Sequence, residues 1–589
     1  MAIRESLQEQ IVKERGRREA FIQAQLGGPA PYLLDQASRG KAQAVLEDLI
    51  FFMPPTDCIA CLEPLRDGIR ASYRTSAEPR QANILRFLVD LTLSLRSFLP
   101  RWNLQNTHRY AETALTQAQA RDEADKTQAL ATQLGADAPG VASMLLAEWR
   151  AETAARLKAE QDPDPEGEAK RLVAYSVGEL LDNLGTTLAS SHLRRLNEMR
   201  VAGETRTELS NDYAAFLSYA LYLGASFVTC NPPLVDMAWV ANPQRWNPVA
   251  DGILSSNPQM DADGLARLMT MEVVLANMRL LRPIFLLTEG RMGCVCLQVN
   301  PHKHADAAAM ISDALFLYEK LRDRLGGGVP NVVFKLPGTQ GGLEACRALS
   351  AKGIGTTITV NFGMFQHLPF AEAIWEGQSI FSCLVEMNGR LAYPVRDELL
   401  SKLGDLGAYG VDEASAREAA AWAGIAVLKR LYTLLKARGY DLGRVKPLVA
   451  SLRIYEGDGY QNLPSAFPDI TEVTGASIIS VFPNIRRPFD AQPQVNLHPC
   501  QIEAPLPERI FETLSFSQIF RQAYYVADRD WVADEDGRFR PDRELSLEDE
   551  PCTAAWVPVH NTLAEFCTSY DRFVQRILER KQLSPKHQT

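Results

Sequence analysis

The chain has 589 residues, with 62 Lys plus Arg against 72 Asp plus Glu, and a formal net charge of −10 at pH 7. That length exceeds one ordinary domain, and the acidic balance argues against a nucleic-acid protein working through a global basic field. Hydrophobic residues make up 46% and charged residues 23%, proportions that exclude disorder as the main state. The richest apolar stretch, 83–99 (NILRFLVDLTLSLRSFL), carries Arg and Asp inside and reads as a buried amphipathic helix, so no membrane partner is expected. The first residues, MAIRESLQEQ, are charged and lack an apolar h-region, which predicts no secretory signal. Ten cysteines are too sparse for a disulfide scaffold, and several sit in apolar surroundings, as expected of free thiols in a reducing cytoplasm.

Residues 1–195 read as a helical region. Windows 41–52, 83–99, 142–157 and 170–184 place apolar residues three and four apart, and the acidic, proline-containing stretch 159–168 is the best internal loop. The CxxC at Cys58 and Cys61 has no second pair and no redox-type context, so it reads as core cysteines on a helix. The run KERGRRE in the first helix reads as a solvent face.

From about residue 205 short β-rich runs alternate with helical patterns. The runs are 206–210, 225–230, 293–299, 331–336, 355–360, 379–385, 445–452 and 477–482. Alternation of this kind predicts a parallel sheet, and such units over residues 200–490 fit a closed (β/α)8 TIM barrel. Residues 491–589 then read as a helical extension packed on that barrel. The fold class is therefore α/β, with an N-terminal all-helical region and a C-terminal helical tail.

Barrel active sites gather at the C-terminal strand ends. The fourth run, VVFKLPGTQGG, buries Lys335 in an apolar strand, where an unpaired ammonium is costly. Desolvation there favours the free amine that a Schiff-base nucleophile requires. A structural lysine paired with a buried carboxylate is the alternative. The other strand ends offer Thr229 and Asn231, Gln298 and Asn300, Thr357, Thr359 and Asn361, Ser382 with Arg390 following, and Ser451 with Arg453.

Together these blocks resemble the transaldolase family, including its fructose-6-phosphate aldolase-like members. The segment VVFKLPGTQGGLEACRALSAKGIGTTITVNFGMFQ is similar to the family's K-x-P-x-T-x-x-G block and fifth strand. GASFVTCNPPL, ASLR and the ERIFETLSFSQIFRQAYYVAD tail fall in the same order as their family counterparts. The resemblance implies that Lys335 forms a Schiff base with a ketose donor and that Asn231, Thr229 and Thr357 hold donor hydroxyls. It further implies that Thr359 positions the catalytic water and that Ser451 and Arg453 bind phosphate. Arg390 is a looser match to the second phosphate arginine, its spacing from the substrate-binding candidate Ser382 being longer than the family's, and Asp212, or second to it Asn211, falls near the first-strand aspartate. The expected activity is transfer or cleavage of a three-carbon dihydroxyacetone unit from sugar-phosphate or related substrates, as in pentose phosphate metabolism, with no cofactor and no metal. Homo-oligomerisation is left open.

Two positions depart from the family. Gln298 stands where transaldolases carry a glutamate acting through water, and Phe362 stands near where the aldolase-like members place a tyrosine. An amide orients water but does not exchange protons at neutral pH. Proton transfer then falls to Asp212 or to His302 and His304, a pair read first as a surface loop and only secondarily as a proton exchanger or metal ligands. Arg486 and Arg487 read as a solvated pair or as an aid to phosphate binding. The departures keep open a specialised carbon–carbon bond enzyme without acceptor transfer, and a non-catalytic sugar-phosphate-binding barrel.

Overall fold

The computed structural model describes residues 6–25, 27–97, 115–527, 529–531 and 535–583. Residues 1–5 and 98–99, which carry parts of the N-terminal and 83–99 readings, and 533–534 of the C-terminal extension lie outside the described residues.

Eight strands close a barrel in sequence order. They are β1 (Glu208–Asn211), β2 (Ala225–Val228), β3 (Val295–Gln298), β4 (Val332–Pro337), β5 (Gly355–Thr359), β6 (Ser382–Met387), β7 (Val445–Ala450) and β8 (Ile478–Val481). Every pairing is parallel, and β1 closes the ring against β8. Each expected run overlaps one strand: five hold it within their bounds, while β1, β4 and β6 run one or two residues past the expected end. The connecting helices cover the outer face with apolar residues, as a parallel sheet requires.

The barrel interior contains two lysines. Lys446 is matched: its Nζ donates to Glu208 Oε1 at 2.5 Å and to the Arg291 carbonyl at 2.7 Å, near the N-terminal end of the strands. The Lys335 side chain, on β4, makes no hydrogen bond or ion pair among the described residues.

The N-terminal helices share one continuous hydrophobic core with the barrel. Their charges are also spent on it. In the first helix, Leu7–Gln23, Glu14 pairs with Arg282 at 2.5 Å and Arg15 with Glu289 at 3.4 Å, while Arg18 stays within the N-terminal region, reaching Glu47 at 2.9 Å and Asp48 at 3.0 Å. The KERGRRE run is thus in part a docking face, through Glu14, Arg15 and Arg18, while Lys13, Gly16 and Arg17 stay exposed as expected of a solvent face. The expected loop 159–168 narrows, because one helix runs through Ala159 and the next starts at Pro165.

From this narrow loop Glu160, 4% exposed, accepts from Arg156 at 2.7 Å and from Arg486 at 2.6 Å. Asp162 pairs with Arg487. Both arginines after β8 are therefore claimed by the N-terminal region, which corrects the reading of a solvated or phosphate-binding pair. Removing one member of a buried ionic cluster leaves the others uncompensated. Glu160→Ala is expected to lower unfolding stability by roughly 3 kcal/mol, measured by urea denaturation. A change within experimental error would show that this contact does not hold the two parts together.

Candidate active site at the C-terminal end of the barrel

β4 carries Lys335 into the barrel interior with 6% exposure, in register with Gln298 of β3 and Thr357 of β5. Its Nζ lies 5.8 Å from the centroid of the Phe566 ring, which sits over it from the C-terminal helix Val557–Leu583. An aromatic face attracts a cation without offering it a proton acceptor.

Around this amine the strand ends supply polar groups. Asp212, just after β1, accepts from Thr229 Oγ1, which also contacts Ser480 Oγ at 2.8 Å. Enclosure pushes the Asp212 carboxyl above its ordinary range, opposed by the charge of Lys335, the Thr229 hydrogen bond, and Arg390 and Arg453. Asp212 is thus an ionisable group close enough to feel the lysine. Thr357 Oγ1 contacts Cys296 Sγ at 3.4 Å, and Thr359 Oγ1 contacts Met387 Sδ at 3.5 Å. Gln298, 7% exposed, holds a buried Oε1 with no hydrogen-bond partner. Such an orphaned acceptor is a natural anchor for a water or a ligand hydroxyl. Asn231 has a structural duty as well, since its Oδ1 caps the helix Pro232–Ala241 by accepting from Leu234 N at 3.0 Å. Its Nδ2 makes no hydrogen bond among the described residues.

A cationic corner forms where β6 and β7 end. Ser451 adopts φ +60°, a strained conformation for a residue with a Cβ. Its carbonyl accepts from Gly389 N at 3.1 Å and from Arg453 Nη1 at 3.1 Å. A Cβ at Gly389 would meet both Ser451 O and Arg453 Cγ at 2.5 Å, so the residue before Arg390 has to be glycine for the two turns to approach. Asp469, 1% exposed, fixes the corner from behind: it accepts from Arg453 N at 2.9 Å and from Asn388 Nδ2 at 3.0 Å. Arg390 completes the corner.

Ser382 is not brought to this group. It is the first residue of β6, and its Oγ accepts from Thr356 N at 2.9 Å and contacts Ser379 at 3.2 Å, at the opposite end of the strand from Arg390. The sequence had suggested a long spacing between Ser382 and Arg390, and that spacing is the physical length of β6.

His302 and His304 follow β3 in a short turn. His302 Nε2 bonds Asp571 Oδ1 of the C-terminal helix at 2.7 Å, while burial lowers the affinity of His304 for a proton. Phe362 is fully buried, edge-to-face with Trp556 at 6.2 Å. Among the described residues neither histidine forms a hydrogen bond with the Lys335 amine.

Several site residues carry no local sequence signal. Glu565, Phe566 and Tyr570 sit on a helix some 230 residues beyond Lys335. Glu565 grips Arg390 with both oxygens, at 2.5 and 2.7 Å, and Tyr570 OH bonds Asp263, which also accepts from Asn300 at 2.8 Å. Asp469 is foreshadowed only by its place, a carboxylate in the apolar run after the seventh strand. Glu386 and His367 form another unforeseen pair, 2.9 Å apart, with Asn361 Nδ2 3.0 Å from His367 Nδ1. Burial pushes the Glu386 carboxyl well up and the His367 imidazole down to about 3, so the histidine is neutral near pH 7. They lie between β6 and the helix Met364–Glu376 that packs on it.

The Asp469 carboxyl is pushed up to about 6 by burial, above an unfolded value near 4. Its contribution to stability is therefore complete below about pH 4 and lost as pH rises through about 6. Asp469→Asn removes the titration. The stability of the wild type relative to this variant is expected to fall by up to roughly 3 kcal/mol between pH 4 and 7, measured by denaturant unfolding across that range. A difference independent of pH would contradict this account of the corner.

Residues 222–482 match the sequence profile of the family described as Transaldolase/Fructose-6-phosphate aldolase. Among curated proteins, the chain is 31% identical over 150 residues to Transaldolase 1 of Streptomyces avermitilis, a match covering 26% of this chain and 37% of that protein. It is 30% identical over 182 residues to the transaldolase of Thiobacillus denitrificans, covering 29% and 42%. It is 37% identical over 90 residues to the probable transaldolase 2 of Bacillus cereus, covering 14% and 40%. The matched segments span about two-fifths of the length of these relatives. The matched profile runs from just before β2 to just after β8 and takes in Lys335, Thr359, Arg390 and Arg453. Over residues 222–482, which hold seven of the eight strands, this chain is thus similar to the transaldolase/fructose-6-phosphate aldolase family.

Proposed function

We propose that the protein is a Schiff-base aldol enzyme of transaldolase type, acting on a ketose or ketose phosphate. The observation that carries the proposal is an amine with no ion-pair partner, 6% exposed inside a barrel, beside a carboxylate whose acidity its charge modulates. Lys335 Nζ adds to the donor carbonyl, and loss of water gives an iminium. Asp212 accepts the proton of the donor hydroxyl as the adjacent carbon–carbon bond breaks. An aldehyde leaves, and the electron pair is held as an enamine. The enamine then either attacks an acceptor aldehyde, which takes up a proton, or is itself protonated. Hydrolysis of the iminium restores the amine and frees the product.

The remaining site groups have roles that fit this sequence. Asn231, Thr229 and Thr357 hold donor hydroxyls, and Thr359 with the orphaned Gln298 oxygen positions water. Ser451, Arg453 and Arg390 receive the phosphate. Because Gln298 cannot exchange protons, simple cleavage or specialised carbon–carbon bond chemistry competes with three-carbon transfer. A product assay with and without acceptor aldehyde separates the two. The non-catalytic sugar-phosphate-binding reading draws on the same glutamine. The ten cysteines are all free, seven of them buried, which supports a reducing, cytoplasmic setting. No helix among the described residues is long and apolar enough to cross a membrane.

Incubation with candidate ketose phosphates and borohydride is expected to leave a reduced adduct on Lys335, located by peptide mass spectrometry and absent from Lys335→Met. No adduct with any donor tried would overturn the proposal in favour of the binding reading. Asp212→Asn is expected to retain trapping while lowering turnover by roughly a hundredfold or more.

A further inference from the structure

The C-terminal helix Val557–Leu583 lies across the mouth of the barrel, and one face of it is dedicated to that position. From the β6 side towards the β2 and β3 side, Glu565 meets Arg390, Phe566 covers Lys335, and Tyr570 bonds Asp263. Beyond these, Asp571 meets His302, Arg576 meets Asp236, and Arg580 holds Asp251 at 2.6 and 2.8 Å. Of these contacts, the one between Glu565 and Arg390 differs from the equally two-pointed Arg576–Asp236 and Arg580–Asp251 pairs in the guanidinium it engages. It is a two-point carboxylate grip on a guanidinium that the proposed function assigns to the substrate's phosphate, with the geometry an arginine otherwise offers to a phosphate. The Phe566 ring lies beneath the same guanidinium, 5.5 Å from Arg390 Cζ, so the next residue along the helix holds Arg390 from its face. The Glu565 carboxyl is held below its ordinary range by the Arg390 hydrogen bonds, and Arg453 adds to the effect, so this carboxylate sits in the field of both arginines.

We infer that Glu565 is a specificity-determining residue: its carboxylate occupies Arg390 in place of the substrate's phosphate and competes with that phosphate for the site. This rests on the reading of Arg390 and Arg453 as the anion-binding corner, but not on Schiff-base chemistry. A phosphorylated donor must displace Glu565 from Arg390, whereas an unphosphorylated ketose leaves the pair intact. The glutamate therefore tilts selectivity away from phosphorylated donors. The Glu565 side chain is 57% exposed, so its replacement leaves the core of the helix interface in place.

Inorganic phosphate is the probe, titrated calorimetrically into the full-length protein. Glu565→Gln, and independently Glu565→Ser, are expected to bind phosphate roughly fivefold more tightly than the wild type, the scale on which one partly exposed ion pair acts. In Glu565→Gln/Arg390→Ala the gain is expected to disappear. Equal affinity in the wild type and both single variants would overturn the inference, as would a gain that survives in the double variant. Loss of borohydride trapping with the phosphate result intact would instead strike the Schiff-base reading and leave this one standing.

Discussion

An amine held inside an apolar barrel is the constraint around which this site is organised. A lysine taken out of water without a partner is costly to bury, and the barrel contains a built-in comparison. Lys446 has Glu208 and a carbonyl to compensate it, and it closes the barrel near the N-terminal strand ends. Lys335, further towards the mouth, has an aromatic face above it and Asp212 near enough to interact, but no partner of its own. One lysine stabilises the fold, while the other is, in the proposed function, the one that meets an incoming carbonyl compound.

The same division of labour runs through the surrounding charges. The global charge is acidic, yet the mouth gathers Arg390 and Arg453, and two carboxylates govern what these can do. Asp469 bonds the backbone of Arg453 from inside the fold, while Glu565 takes the guanidinium of Arg390 from the opposite wall. The first is a positioning contact and the second is a contact with a competitor. Arg486 and Arg487 stand near the mouth in sequence terms but are consumed by Glu160 and Asp162. The N-terminal region thus has a physical role even where it carries no chemistry, since it neutralises cations of the barrel and covers its apolar helices.

Much of this was legible in the sequence, for reasons that differ by residue. The strands could be read because a parallel barrel buries both faces, so each leaves a short apolar run between helical patterns. Lys335 stood out because a charged residue interrupts such a run, and Thr359, Asn231 and Arg453 follow from where strands end. Ser382 was misjudged because a strand's two ends are chemically alike in sequence and only register tells them apart. Glu565, Phe566 and Glu160 were invisible for another reason. Each acts through a partner more than 170 residues away, and a glutamate on an amphipathic helix looks the same whether it faces water or an arginine. The KERGRRE run misled in the same way, because a charged helix face reads as solvated until its oppositely charged partners are placed beside it.

The central claim is that Lys335 is the covalent centre of this barrel. The most direct measurement is carbon-13 nuclear magnetic resonance of the intact protein with a ketose donor labelled at its carbonyl carbon. The account predicts a protein-bound imine or carbinolamine resonance in the wild type that is missing in Lys335→Met. A bound resonance of that kind persisting in Lys335→Met, or no covalent resonance in the wild type with a donor that binds, would contradict it.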